Sequence, residues 1–575
     1  MEQRHPDRAF WLFWIFIQLA LGWIDFMDMP VFGMHQGAQA DRACVAWNFW
    51  HESMNFFEPR VMENRAAEGV AGMEFPIIPY LVALLYKLFG FKPILYRLLV
   101  GATVTYGMWS AWRLLSLYIP RTASKLALLG IFYLSPTFVF YTWNFLADPV
   151  ALSLSIAALY HWIQWHFHLE TKRNFRLYLI LMTLTGLIKV SFMIVHFAII
   201  AVLIFEKRKH RTNVIQTSDN TYEILDENQT ITLPTVPWLA LFIPFLPIAA
   251  WYSYSSYLTN STYNTHFLQQ INPSKSISEF IQVTEYSLNT WKDSLYPTWC
   301  LVGIVGIWLY TILKFRSSLT LIEKLSLWLF LGFGGLYVLF HLQFRFHDYY
   351  FLSAWPFILL AILSLQQRYL NGKILLQGMP ALASMLGLWI IPFVSFGHAK
   401  RMLHHRFTPN DYYCQNVITD IKDLENIALW LKQNNTEDLE VFVAFDPSPN
   451  TALYALQTKG VRLAPDYQPD LAKGIYQSKL QPIPSDYPWK SKGRKLGYVV
   501  TNDTQRWFAD YANIAVPMKD TLPLTRSGQW AIYRITNSES LKIIAADNPA
   551  PCCLFGMTQA SKPRTSKRKK VLPIR

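Results

Sequence analysis

The segment FPIIPYLVALLYKLFG, Phe75–Gly90, decides how the rest of the chain is arranged. Its sixteen residues are apolar, yet fewer than the ~20 that an α-helix needs to span a bilayer. Pro76 and Pro79 also interrupt its start. If it crosses the membrane, every later segment changes side. If it lies along the outer interface, the basic clusters of the short loops all fall on one side, as the positive-inside rule requires. These clusters are Arg121/Lys125, Lys172–Arg176, Lys207–Arg211, Lys314–Lys324 and Arg368–Lys373. The expected arrangement is therefore an interfacial segment, with the N-terminus and these clusters in the cytoplasm.

Around it, apolar stretches near span length occupy Phe10–Val31, Leu95–Tyr118, Leu126–Trp143, Val150–Phe167, Pro237–Ser255, Leu325–Phe344, Tyr349–Leu365 and Ile374–Phe396. Trp299–Leu313 is shorter but usable. Leu177–Phe205 is too long for one helix and has basic residues at both ends, so it reads as a hairpin of two helices turning near Gly186–Ser191. The fold class expected is a polytopic α-helical membrane protein of about eleven spans over residues 1–400. Residues 32–94 form a long first extracytoplasmic loop. Residues 401–545 read as a small extracytoplasmic α/β domain, with helices at Ile421–Gln433 and Asn450–Thr458. Its strands are expected at Glu440–Phe445, Leu496–Thr501 and Trp530–Ile535. Residues 546–575 read as a basic tail.

Composition agrees with this class. Of the 575 residues, 52% are apolar and 16% charged, against ~25% charged in soluble proteins. The 22 Trp, 30 Tyr and 39 Phe suit membrane–water interfaces. The net charge of +14 comes from loop clusters that orient helices, so nucleic-acid binding is not expected. Only Lys562–Lys570 resembles a polyanion-binding run, and such ends are usually solvated. The five cysteines, Cys44, Cys300, Cys414, Cys552 and Cys553, show neither zinc-ligand spacing nor a disulfide framework. No nucleotide-binding GxxxxGK[ST] loop occurs, which argues against ATP-driven transport.

The loops assigned to the outside collect ionisable residues: Asp41 and Arg42, Glu58 and Arg60, Glu74, Asp148, Lys189, then Arg345, His347, Asp348 and Tyr349 in RFHDYY. A charge at membrane depth costs about 2.5–3.5 kcal/mol or more, so such groups usually face a cavity or a partner. Each has a plainer reading. Lys189 can snorkel to the interface, Asp148 can cap the helix that follows it, His347 and Asp348 can be ordinary loop residues, and Asp41 can pair with Arg42 or Arg60. Their recurrence on one side suits a lipid-phosphate-linked sugar. Cations stabilise the departing phosphate, and a carboxylate deprotonates the acceptor.

The stretch His35–Asp41 with NFFEPR (Asn55–Arg60), EFPIIPYLVALLYKLFG (Glu74–Gly90), Ala147-Asp148-Pro149, Leu187-Ile188-Lys189 and HDYYF (His347–Phe351) together resemble the GT-C superfamily of polyprenyl-phosphate-sugar-dependent glycosyltransferases. Within it they are similar to the bacterial branch related to protein O-mannosyltransferases and the lipid A aminoarabinose transferase. The resemblance covers roughly residues 10–400. It implies that Asp41 is the catalytic base, that Asp148 helps shape the site, and that Lys189 and Arg345–His347 contact the lipid phosphate. It also implies an inverting transfer to an extracytoplasmic glycan, lipid or protein, in the cell membrane. Where the family has an aromatic and a basic residue before its Gln-Ala-Asp, this chain has Gly37-Ala38. No cofactor is expected. Some members use a divalent ion, but the first loop has no Asp-X-Asp pair, which favours metal-independent chemistry.

The competing class is a transporter or flippase for a lipid. It predicts polar residues strung along a path and internal repeats, neither of which the sequence carries. A non-catalytic scaffold with a sensor domain is a third reading. The C-terminal domain is expected to recognise the acceptor rather than take part in catalysis, and Asp446–Pro449 within it reads as a turn. Cysteine-accessibility labelling tests the topology: Asp446→Cys should label from outside and Thr217→Cys should not. External labelling at Thr217→Cys refutes the arrangement.

Overall fold

A computed structural model describes residues 7–63, 67–167, 171–205, 209–216, 222–232, 237–262, 264, 267, 271–371, 379–408, 421–434, 439–444, 450–463, 467–470, 475–478, 495–502 and 523–534. Thr217, Cys414, the Asp446–Pro449 turn, Cys552–Cys553 and the basic tail lie outside these residues.

The chain starts with α1 (Arg8–Leu21), which Gly22 ends in the left-handed region at φ 83°. Inside the expected first loop lies α2 (Gln36–His51), which the sequence reading missed. Its residues Gln36 to Phe49 are all buried, so there is no apolar stripe for periodicity to detect. The segment expected to lie along the interface forms α3 (Ile77–Phe89). Thirteen residues at ~1.5 Å each reach about 20 Å, short of a ~30 Å hydrocarbon layer. One side, including Val82, Ala83 and Tyr86, is buried, while Leu81, Leu84, Leu88 and Phe89 are exposed. At its start the Phe75 amide donates to Leu187 O at 3.0 Å. Just past its end, Phe91 meets Tyr454 of the C-terminal domain.

Next come α4 (Pro93–Ser116), α5 (Thr122–Tyr133), α6 (Pro136–Tyr141) and α7 (Asp148–His166). The expected span Leu126–Trp143 is thus broken at Ser135-Pro136, where proline restricts the preceding residue and removes a donor. Helices α4 and α7 pack at close range: a Cβ at Gly107 would sit 2.4 Å from Ser153 Cβ. Such small-residue contacts let membrane helices approach.

The expected hairpin is α8 (Thr171–Ile188) and α9 (Ile194–Phe205), reversing at Lys189. Tyr178 and His196, across the turn, are hydrogen-bonded at 2.6 Å. A two-stranded antiparallel ribbon follows, β1 (Lys209–Gln216) and β2 (Tyr222–Thr232). Then come α10 (Phe245–Thr262), α11 (Ile277–Leu295), α12 (Thr298–Lys314), α13 (Leu321–Leu339), α14 (His341–Phe346), α15 (Trp355–Gln366) and α16 (Met379–Arg406). Among the described residues, Trp238–Thr262, Leu321–Leu339 and Asp348–Tyr369 are long and apolar enough to cross a membrane. A fourth arises if α11 and α12, bent by 99°, count together. The expected eleven are not reached by that measure. Several spans are broken, as at Pro136, or carry buried charge, as α4 does at Arg97.

The C-terminal region holds α17 (Ile421–Gln433), β3 (Leu439–Ala444), α18 (Thr451–Leu456), β4 (Gly460–Leu463), β5 (Tyr467–Asp470), β6 (Ile475–Ser478), β7 (Lys495–Thr501), β8 (Thr525–Ser527) and β9 (Trp530–Arg534). One sheet runs β4-β3-β7-β9-β8, with β3 parallel to both neighbours and β9 antiparallel to β7 and β8. The helices and strands expected here therefore all form, within a residue or two at their ends.

Two fully buried arginines hold the loops to the helices. Arg97 donates to Trp143 O at 2.9 Å, Met29 O at 3.0 Å and Pro30 O at 3.1 Å, and also to Asn144. Arg406, the last residue of α16, reaches Asp348 Oδ2 at 2.5 Å. That carboxylate also accepts from Tyr141 at 2.7 Å and Thr137 at 3.0 Å, with His35 Nε2 at 3.2 Å. Asp348, expected to contact substrate, is thus an internal anchor, its oxygens taken up by four side chains. Removing one member of a buried pair strands the other charge. Asp348→Ala should therefore destabilise the fold by about 3–5 kcal/mol, read as a lower melting temperature in detergent; an unchanged melting temperature refutes the anchor.

Candidate active site

Helix α2 begins at His35, a non-glycine residue at φ 53°. Its first turn is pulled back onto the preceding loop: Gln36 Nε2 donates to Val31 O at 3.1 Å and Gln39 Nε2 to Met34 O at 2.8 Å. Gly33 allows this loop to cross the end of α16. Its φ is 96°, and a Cβ there would lie 2.9 Å from Arg406 O. Asp41 is therefore not in a flexible loop but in the second turn of a buried helix.

Adjacent helical residues point about 100° apart, so Asp41 and Arg42 face different partners. The Asn450 amide donates to Asp41 Oδ1 at 2.7 Å. Arg42 grips Glu74, with Nε at 2.7 Å and Nη2 at 2.6 Å from Oε1, and its Nη1 donates to Ala38 O at 2.9 Å. Burial opposes the Arg42 charge, but Glu74, Tyr349, Asp148 and Asp41 outweigh it and raise its pKa.

Asp148 is the first residue of α7 rather than its cap. Its Oδ1 lies 3.7 Å from Lys189 Nζ, and both side chains are buried. Lys189 therefore does not snorkel to water. Its ammonium also lies 5.3 Å from the centre of the Tyr350 ring. The Phe75–Leu187 backbone bond sets Glu74 beside this turn. The His347 ring completes the group, 5.3 Å from His35 and stacked at 5.1 Å on Tyr349. Burial holds the His347 pKa well below its ordinary value, and the nearby His35, Lys189 and Arg42 push the same way against Asp348. Together these influences favour the neutral imidazole over the imidazolium in the unliganded site.

The remaining candidates stand apart from this cluster. Glu58 and Arg60 pair with each other at 3.2 Å, and Arg60 pairs with Glu68 at 2.8 Å on the loop surface. Arg345 packs over the rings of Tyr286 and Phe346.

From Glu74 a cavity of about 860 Å³ runs along α9, α10 and α13, past Phe197, Tyr252, Trp328 and Leu336 to Phe340. Phe267, at its head, also lies under the Arg42 guanidinium. The cavity is mostly apolar, and Glu74 is the member of the charged cluster that lines it.

Among the described residues, no group of three His, Cys, Asp or Glu side chains is placed to hold a metal ion. Asp41, Glu74 and Asp148 instead face Asn450, Arg42 and Lys189. Sequence reasoning missed His35, Asn450 and Lys459. Lys459 is buried, with its ammonium 2.7 Å from Val61 O and 3.2 Å from Glu52 Oε2. No sequence spacing pointed to these three, because their partners are set by docking of distant segments.

No family model matches the chain, and no curated protein is similar to it in sequence. Its fold is similar to the crystal structure of ArnT from Cupriavidus metallidurans in the apo state. The TM-score is 0.54 at 10% identity, over 92% of this chain and 98% of that one. It is similar also to ArnT from the same organism bound to undecaprenyl phosphate, with a TM-score of 0.55 at 10% identity over 92% and 99% of the two chains. The resemblance first carried by short motifs thus extends to the architecture: the chain is mostly helical and has the fold of ArnT.

Proposed function

We propose that the protein transfers a sugar from a polyprenyl-phosphate donor to a hydroxyl or amine of an extracytoplasmic acceptor, with inversion. The observation that carries this reading is the convergence of Asp41, Arg42, Glu74, Asp148 and Lys189 beside a mostly apolar cavity that Glu74 lines. Arg42 senses the charges of Asp41, Glu74 and Asp148 together. A transporter would instead distribute such groups along a path.

In this reading the prenyl chain lies in the cavity along α9, α10 and α13, and the phosphate meets Lys189 and Arg42. ArnT was crystallised with undecaprenyl phosphate, which supports the same class of carrier here. Lys189 stands 3.7 Å from Asp148, longer than a charge-assisted hydrogen bond of about 2.7–2.9 Å. An arriving phosphate can therefore take over the ammonium without breaking a tight pair. As the sugar–phosphate bond breaks, Lys189 stabilises the charge growing on the leaving oxygen. Asp148 keeps Lys189 oriented between turnovers. Asp41 takes the proton of the attacking acceptor group, and one displacement inverts the anomeric carbon.

Asp41→Asn keeps the shape of the side chain but removes the base, so transfer from a synthetic lipid-phosphate sugar should fall about 10²–10⁴-fold. Binding of undecaprenyl phosphate by the same protein should stay unchanged. Lys189→Ala should weaken that binding as well as transfer. Near-normal transfer by Asp41→Asn removes Asp41 from the mechanism.

A further inference from the structure

The C-terminal domain is docked onto α2 through buried polar contacts. Asn450 has no exposed surface and bridges two parts of the first loop. Its Nδ2 donates to Asp41 Oδ1 at 2.7 Å, and its Oδ1 accepts from the Glu63 amide at 2.9 Å. Asparagine in the position before a helix ordinarily bonds to that helix's own amides. Asn450 immediately precedes α18, yet its side chain makes no such bond, and both of its arms are used on the first loop. Nine residues on, Lys459 fastens the same surface through Val61 O and Glu52, while the Gly460 amide donates to Met62 O at 3.3 Å.

We propose that Asn450 is a positioning residue for the base, so that the C-terminal domain completes the active site rather than serving acceptor recognition alone. This rests on the reading of Asp41 as general base. A carboxylate that accepts from an amide is favoured in its ionised form and held in one rotamer; both serve proton abstraction. Around Asp41 lie Arg42 and Cys44 from its own helix and, from the C-terminal domain, Asn450 itself and Lys459, whose charge is felt at Cys44. Beyond Arg42 are Glu74 and Asp148. The Asn450 amide donates directly to the Asp41 carboxylate, whereas the Cys44 thiol donates to the Asp41 backbone oxygen.

The test compares Asn450→Asp and Asn450→Ala in the full-length protein. Asn450→Asp keeps the volume and an acceptor for the Glu63 amide, but replaces the donor by a like charge. Two readouts apply. The first is the pH dependence of kcat for transfer from a synthetic lipid-phosphate sugar. The second needs no substrate: infrared titration of the carboxyl band that Asp41→Asn removes. The Asp41 midpoint and the acid limb of the rate profile should both move to higher pH, by about one unit or more, with the larger shift in Asn450→Asp. A midpoint unchanged in both folded variants overturns the proposal, as does a lower kcat with an unshifted profile. If the midpoint moves but the wild-type protein transfers from no lipid-phosphate sugar, the Asn450–Asp41 coupling stands and the transferase reading fails.

Discussion

Asp348 has no exposed surface, and an ionised carboxylate in such a place costs several kcal/mol unless its oxygens are occupied. Here they are occupied from four directions: Arg406 at the end of α16, Thr137 and Tyr141 on α6, and His35 at the start of α2. Thr137 and Tyr141 lie more than 200 positions from Asp348 and Arg406 lies 58 away, so satisfying one charge fixes several elements relative to each other. The end of α16 is held further because the Met34 amide donates to Arg406 O at 2.9 Å. Once α16 and α6 are pinned, His35 and the first turn of α2 have one place to go. Asp41, Arg42 and the rest of the candidate site follow from that placement.

The site repeats the same physics with looser geometry. Arg42 and Glu74 form a tight pair at 2.6 Å, whereas Lys189 and Asp148 stand 3.7 Å apart. The first pair is fully committed and suits a fixed wall. The second retains attraction without full hydrogen bonding, which suits a group that must exchange partners when an anion arrives. In a water-poor pocket each interaction is stronger than at a surface, so modest movements of Lys189 carry large electrostatic consequences. Burial and the neighbouring cations push the His347 pKa down, which favours its uncharged ring in this balance.

Docking of the C-terminal domain follows the same economy of buried partners. Lys459 loses hydration on burial, which depresses its pKa, and Glu52 and the first-loop carbonyls compensate. An interface built on buried, directional contacts is specific in register. A slip of one residue would unpair Lys459 and Asn450 together.

Much of this molecule was legible in its residues. Apolar runs and the scarcity of charge point to a membrane protein, because lipid tolerates little else. The helix reversal at Lys189 followed from basic residues on both sides of one apolar stretch. The C-terminal strands and helices stood out because each has a clear period. Asp41, Asp148, Lys189 and Glu74 were conspicuous as charges among apolar neighbours. What the chain order concealed was partnership. Helix α2 is buried on all sides, which erases the stripe that periodicity detects. Asn450 lies 409 positions from Asp41, and Arg406 lies 58 from Asp348 and 269 from Thr137. Asp348 looked like a site residue but became an anchor, and His347 lies buried against the His35 and Tyr349 rings. Composition and local pattern report which groups must find partners. Only the folded arrangement determines which partner each one finds, because burial and hydrogen bonding depend on neighbours brought together across the whole chain.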